Sequence, residues 1–386
     1  MEGTAVIERT ARRNPKILAR SARIFSGLIL LAFVTTHLLN ASLGLISLEA
    51  MDDGARFLTG VWGFPPLSWM LALAFVAHFL LGLWSVYERP TLKTNTQDMI
   101  QLTTALLVVP LMATHVLGVY MSENFGFHLD YAGVIRLMWI EQPTIGLLQV
   151  VVVSVVWIHG CAGLLIWMRS MEKARNIILW VYPIAIAIPV LSLLGFSEAG
   201  RKAIELGDVV ITATADQPAV PNYSPDEMMA IFTFIKSTTN WTIWTTLGLA
   251  VLALLARAVR GRLSGGRSFS VTRDGQSLAP SRPGLSLFDT FQQQNEPHAG
   301  LCQGRGRCGT CAVRILSSEF PLPEPSEMER LTLLKKGLGD EARLACQLKP
   351  DGGQVVVEAV YPADFTYSRL DEEPPHTDAD AEKVAS

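Results

Sequence analysis

Six stretches of this chain run for about twenty residues or more without one Asp, Glu, Lys or Arg: residues 24–48, 67–87, 99–121, 144–168, 177–196 and about 237–256. An α-helix needs ~20 apolar residues to cross ~30 Å of hydrocarbon, and core helices of water-soluble domains are shorter. In lipid, every backbone N–H and C=O must be satisfied within the segment. The expected fold for this part is therefore an all-α, six-helix transmembrane bundle in contact with membrane lipid. Pro110, Pro183 and Pro189 fall inside the runs, where membrane helices tolerate them. Charged residues make up 17% of the chain and hydrophobic ones 49%, a balance too poor in charge for an ordinary soluble protein. A net charge of -3, with no basic run interleaved with aromatics, leaves no case for a nucleic-acid partner.

Lys and Arg gather at one end of the bundle. Arg9, Arg12, Arg13, Lys16, Arg20, Arg23, Arg89, Lys93, Arg169, Lys173, Arg175, Arg257, Arg260, Arg262 and Arg267 lie there, against Arg56, Arg136, Arg201, Lys202 and Lys236 at the other. The positive-inside bias puts the N-terminus, the loops after the second and fourth runs, and the C-terminal region in the cytoplasm. The acidic 197–236 loop is expected to face outward. Residues 1–23 are polar and Arg-rich and do not read as a cleavable signal.

Four of the seven histidines fall inside the runs, one in each of the first four: His37, His78, His115 and His159. Ionisable groups at membrane depth are expensive and mark functional sites by default. A single one would read as a polar residue bonded to a neighbouring helix. Four on successive helices, with no carboxylate beside them, fit metal ligation better than a proton relay. At 1.5 Å per residue, His37 lies roughly 20 Å and His115 roughly 24 Å from the cytoplasmic end, while His78 and His159 both lie roughly 14 Å from it. The depths sort them into two pairs, His37 with His115 and His78 with His159. Two imidazoles at equal depth on different helices suit the two faces of one haem iron, so two stacked b haems are expected. Small residues, Ala41, Gly82, Gly118 and Gly163, sit about one turn from the four histidines. Small residues also serve helix packing. Zinc prefers a compact tetrahedral set, which two pairs at different depths do not make.

The order and spacing of these four histidines resemble the dihaem cytochrome b membrane anchor of succinate dehydrogenases and fumarate reductases. The resemblance covers about residues 20–200 and implies the same ligand pairs, first with third and second with fourth. It departs in a sixth span and in a fused C-terminal domain. Arg89 and Arg169, just beyond the spans of His78 and His159, are expected to meet haem propionates or simply to serve as topology charges.

Four of five cysteines cluster near the C-terminus: Cys302, Cys308, Cys311 and Cys346. The spacing C-x5-C-x2-C with a distant fourth is one residue longer in its first gap than the plant-type 2Fe–2S pattern. Gly304, Gly306 and Gly309 let the loop bend and aim amides at sulfur. Zinc sites usually show two short C-x2–4-C knuckles, and only one is present. Strands are expected at 268–273, 312–316 and 355–360, with a turn at Asp274-Gly275 and a short helix at 285–293. Cys161, alone in an apolar run, reads as a packing residue. Residues 267–362 resemble a 2Fe–2S ferredoxin domain, which implies a small α+β fold of β-grasp type with the four cysteines as iron ligands.

The readings divide the chain into a basic segment (1–23), a haem-binding membrane domain (24–260), a linker (261–267), a ferredoxin domain (268–362) and an acidic tail (363–386). The combination also resembles the N-terminal half of certain bacterial membrane-bound class III adenylate cyclases, and so implies a bacterial inner membrane. No cyclase catalytic domain is legible after Tyr361, so any partner adenylate cyclase would have to be a separate chain. The function expected is electron transfer between quinone or quinol, two b haems and a cytoplasmic 2Fe–2S cluster, with either the adenylate cyclase or a soluble redox protein as a further partner. The alternatives are a redox sensor acting on the cyclase and an anchor subunit of a respiratory dehydrogenase.

Overall fold

Proline opens four of the long helices. It costs nothing there, because the first N–H groups of a helix have no intrahelical partner. In a computed structural model, which describes residues 15–126, 130–168, 175–206, 223–263, 265–339 and 341–365, the N-terminal part is built from eight described helices. They are α1 (Pro15–Ser42), α2 (Leu48–Trp62), α3 (Pro65–Glu88), α4 (Thr96–Asn124), α5 (Tyr131–Arg136), α6 (Pro143–Met168), α7 (Arg175–Leu206) and α8 (Pro225–Leu263). Six of them, α1, α3, α4, α6, α7 and α8, are long and apolar enough to cross a membrane. Pro110 sits inside α4, and Pro183 and Pro189 inside α7.

Helix α1 packs on α3 and α7, and α4 packs on α6 and α8. Glycine permits the α1–α7 contact. A Cβ at Gly195 would fall on the Ala41 carbonyl, and one at Gly44 on the Gly195 carbonyl. The faces turned away from these contacts are apolar. Trp69, Trp84, Trp180, Tyr182, Trp241 and Trp244 stand exposed on them, as residues at a membrane interface do.

Several boundaries differ from those read from hydropathy: the first helix already begins at Pro15, and the last runs on to Leu263, into the expected 261–267 linker. The first run breaks after Ser42 into a short 3-10 turn (Leu43–Leu45), and α2 starts afresh behind Ser47, whose hydroxyl accepts a hydrogen bond from Ala50 N at 3.0 Å. Residues 197–206 continue α7, and 225–236 begin α8, so the 197–236 loop is largely helix where it is described. Asp226, Glu227 and Lys236 ended the apolar run without ending the helix. Hydropathy marks where lipid stops, whereas hydrogen bonding decides where a helix stops. Helices α2 and α5, with the π-turn Leu137–Glu141, close the end of the bundle away from the C-terminal domain. There Met51, Ile135, Ala199 and Ala203 are buried against Trp139 and Phe196.

The C-terminal domain is a mixed five-stranded sheet with two short helices. Its elements are β1 (Phe269–Arg273), β2 (Gln276–Ser277), α9 (Leu287–Gln293), β3 (Ala312–Ser318), α10 (Glu327–Lys335), β4 (Ala342–Leu344) and β5 (Gly353–Ala359), with strand order β2-β1-β5-β3-β4. Only β1 and β5 run parallel. Asp274 and Gly275, both at positive φ, turn β1 into β2, as a two-residue hairpin requires. Ser286 and Asp289 form a reciprocal capping box that starts α9. The core is apolar, with Phe269, Val271, Leu285, Leu287, Phe291 and Leu344 almost wholly buried. Helix α10 and strand β4 had no counterpart in the sequence reading.

Candidate functional site: a four-cysteine loop and two histidine pairs

Residues 301–311 form a tight loop between α9 and β3. Gln303, Gly304, Gly306 and Gly309 all adopt positive φ, a region glycine enters without steric penalty. The result is a loop that folds around its own sulfurs. All four cysteines are buried. They form two close pairs. The Cys302 N–H donates to Cys308 Sγ at 3.3 Å, and Cys311 Sγ stands 3.3 Å from Cys346 Sγ. Backbone N–H groups of Arg305, Arg307 and Cys308 also bond to the Cys302 sulfur. Thr310 Oγ1 lies 3.1 Å from Cys308 Sγ, and Gln347 Nε2 donates to Cys346 Sγ at 3.5 Å. Together with the hydrogen bond from Cys308, these amides hold the Cys302 thiol well below its ordinary pKa. Two cysteine pairs ringed by amide donors suit a 2Fe–2S cluster, in which four thiolates share two irons.

The four membrane histidines also meet in pairs. The His37 and His115 rings lie 5.8 Å apart between centroids, with planes at 62°, and the His78 and His159 rings 6.1 Å apart at 81°. Each pair joins two helices, α1 to α4 and α3 to α6. Metal–nitrogen bonds of about 2 Å on both sides of one ion, plus half an imidazole each, span ~6 Å. His78 Nδ1 lies 3.1 Å from the Arg23 carbonyl and 3.2 Å from Ser26 Oγ, and His159 Nδ1 lies 3.4 Å from Thr104 Oγ1. A second-shell partner on Nδ1 fixes the tautomer and leaves Nε2 for a metal. His115 Nδ1 is buried with no partner among the described residues. Among the described residues, a Cβ at Gly82 or Gly118 meets no atom within 4 Å, and one at Gly27 would come within 2.9 Å of the His78 ring. The residues present thus fit a flat bis-imidazole group. Of the small residues expected to line it, Gly163 packs against Gln101 and leaves the set.

The cysteine loop sits at the end of the bundle nearer His78 and His159. Arg20 Nη1 donates to the Arg305 carbonyl at 2.9 Å, and Arg305 Nη2 pairs with Asp98 Oδ1 at 3.0 Å. Lys93 Nζ donates to the Gln293 carbonyl at 2.7 Å, and Arg282 Nη2 to the Pro90 carbonyl at 2.6 Å. Arg89 ends α3 at this junction, half-buried beside Asp98 and Arg305, and burial lowers its basicity. Arg169 lies outside the described residues. Cys161 is half-buried, packed against the cluster of Leu38, Trp157 and Ile188. Sequence reading missed Arg20, Arg23, Asp98 and Arg305 as a group. The one local signal was an acidic residue at the start of a span, which resembles an ordinary helix N-terminus.

The family described as the 2Fe-2S iron-sulfur cluster binding domain matches residues 271–351. Ferredoxin-1 of Aquifex aeolicus (strain VF5) is 43% identical over 58 residues, 14% of this chain and 60% of that protein. The chain thus spans less than two thirds of the length of this relative. No solved structure matches the chain. The C-terminal domain is a ferredoxin-type 2Fe–2S domain. It suggests electron transfer, and the six apolar helices beside it are compatible with a multi-pass membrane anchor.

Proposed function

We propose that this is a membrane-bound electron-transfer protein in which His37 and His115 hold one b haem and His78 and His159 a second. Cys302 and Cys308 hold one iron of the 2Fe–2S cluster, and Cys311 and Cys346 the other. The haems and cluster supply one-electron chemistry, with a quinone or quinol as the lipid-soluble partner. The observation that carries the reading is the meeting of two histidine pairs on four helices, at 5.8 and 6.1 Å between centroids. The clustering of Lys and Arg at the cysteine-loop end supports placing that end in the cytoplasm. Arg89, just beyond the helix that carries His78, is proposed to pair with a propionate of the inner haem, an ion pair that strengthens as water is removed. Arg169 is proposed for the same role from its sequence position.

Haem counting in histidine double variants tests this. Purified protein should show a low-spin b-type spectrum of about two haems per chain, because the proposal gives each chain two bis-imidazole sites. His78→Ala/His159→Ala should retain one haem, and His78→Ala/His115→Ala none. Equal haem content in the two would overturn the pairing, and absence of haem from protein made with ample supply would overturn the reading. The paramagnetic signal of the cluster should persist in all of these and vanish in Cys308→Ser.

A further inference from the structure

Arg305 stands between Cys302 and Cys308 and reaches three ways. Its Nη1 donates to the Cys302 carbonyl at 2.9 Å, its Nη2 pairs with Asp98 Oδ1 at 3.0 Å, and its own carbonyl accepts from Arg20 Nη1 at 2.9 Å. Asp98 is also held from its own helix start. It lies in the first turn of α4, 5% exposed, with its N–H on Asn95 Oδ1 at 2.9 Å and its Oδ2 3.3 Å from Thr94 Oγ1. Arg20 precedes Arg23 by one turn of α1, and the Arg23 carbonyl lies 3.1 Å from His78 Nδ1. The contacts therefore run from Cys302 through Arg305, Arg20 and α1 to His78. A carboxylate this buried holds its cation far more firmly than a surface pair does, since solvent no longer screens it. The same loop carries three of the four cysteines, Cys302, Cys308 and Cys311, so the clamp fixes where the cluster sits relative to the membrane domain.

We propose that Asp98 and Arg305 are positioning residues that clamp the cysteine loop onto the membrane domain at its His78–His159 end. The membrane domain is then the redox partner docked on this loop, with no soluble carrier between. The proposal rests on the haem reading above. One electron crosses the contact in each event: the donor centre is oxidised by one, the acceptor is reduced by one, no covalent bond changes and no proton crosses.

The test uses the full chain in detergent or lipid discs, with Asp98→Ala, Arg305→Gln, Arg305→Lys and the exchanged pair Asp98→Arg/Arg305→Asp. Haem and cluster content are measured first. Hydrogen exchange then reads residues 300–309, and pulsed reduction reads how fast one electron redistributes between cluster and haem. Asp98→Ala and Arg305→Gln should each speed exchange in the loop tenfold or more and slow redistribution tenfold or more, with both cofactors retained. Arg305→Lys should recover part of each effect, and the exchanged pair most of both. Unchanged loop protection and rate in the two single variants would overturn the proposal while leaving the dihaem reading intact. So would redistribution in the parent protein that requires an added soluble ferredoxin. Parent protein without haem overturns both. If Arg305→Gln fails to load its cluster, Asp98→Ala decides, because its side chain lies outside the ferredoxin domain.

Discussion

Glu329 is 1% exposed and accepts three hydrogen bonds, from Arg343 Nε at 2.9 Å, Arg343 Nη2 at 3.2 Å and Leu344 N at 2.8 Å. It ties α10 to β4, two residues before Cys346. Removing one partner of a buried pair leaves the other charge uncompensated, at a cost of about 3–5 kcal/mol. Glu329→Ala should therefore lower the temperature at which cluster absorbance is lost, while the haem spectrum of the same sample survives to its usual temperature. Coincident loss of both would refute the local assignment. Gly27 offers a second residue-level case. A side chain there meets the His78 ring, so Gly27→Val should displace that imidazole and remove one haem of two. Full haem content in purified Gly27→Val would show that the ring has room to move.

At the scale of elements, the α1–α7 contact depends on glycine at both ends of a backbone-to-backbone approach. Gly195→Leu would place a branched side chain on the Ala41 carbonyl and the Ser42 backbone. Overpacking of a close contact costs about 1–3 kcal/mol. Because α1 also carries His37, the expected outcome is a lower melting temperature in detergent with preferential loss of the His37–His115 haem. Gly60→Leu, where a Cβ meets nothing within 4 Å, serves as the control and should melt as the parent does. The histidine pairing was legible at this scale because the rise of a helix is constant. Residue number therefore converts to depth along every span, and equal depth on two helices is a condition any shared ligand must meet. Which small residues face the imidazoles was not legible. Rotation about a helix axis depends on the neighbouring helix, and Gly163 packs against Gln101 instead.

For the whole molecule, the four clustered cysteines come from residues 302–346 and the four paired histidines from 37–159, so on the proposed reading each centre draws its ligands from its own fold. Iron chelation under reducing conditions should abolish the cluster signal and leave the haem spectrum and the far-ultraviolet helix signal unchanged. Parallel loss of haem would mean that the two folds stand or fall together. The junction between them is polar, through Lys93, Arg282, Asp98 and Arg305, and separable docking of this kind is common where domains meet through small polar interfaces.

Apolar length and cysteine spacing are local properties of the chain, and they settle most of what is known of the two halves. A run of about twenty uncharged residues has few stable fates other than a membrane helix. A C-x5-C-x2-C loop with glycines between is bent by its own backbone, wherever the domain lies. Helix ends such as Leu206 and Pro225 escaped this reading, since charges that end an apolar run are welcome in a helix leaving the bilayer. Strand β4 escaped it because three residues carry no period. The junction escaped it for a deeper reason. Asp98 and Arg305 are separated by more than half the chain, and neither is unusual among its neighbours. Their meeting depends on how a folded domain comes to rest on a folded bundle, where burial of the carboxylate selects one guanidinium out of many.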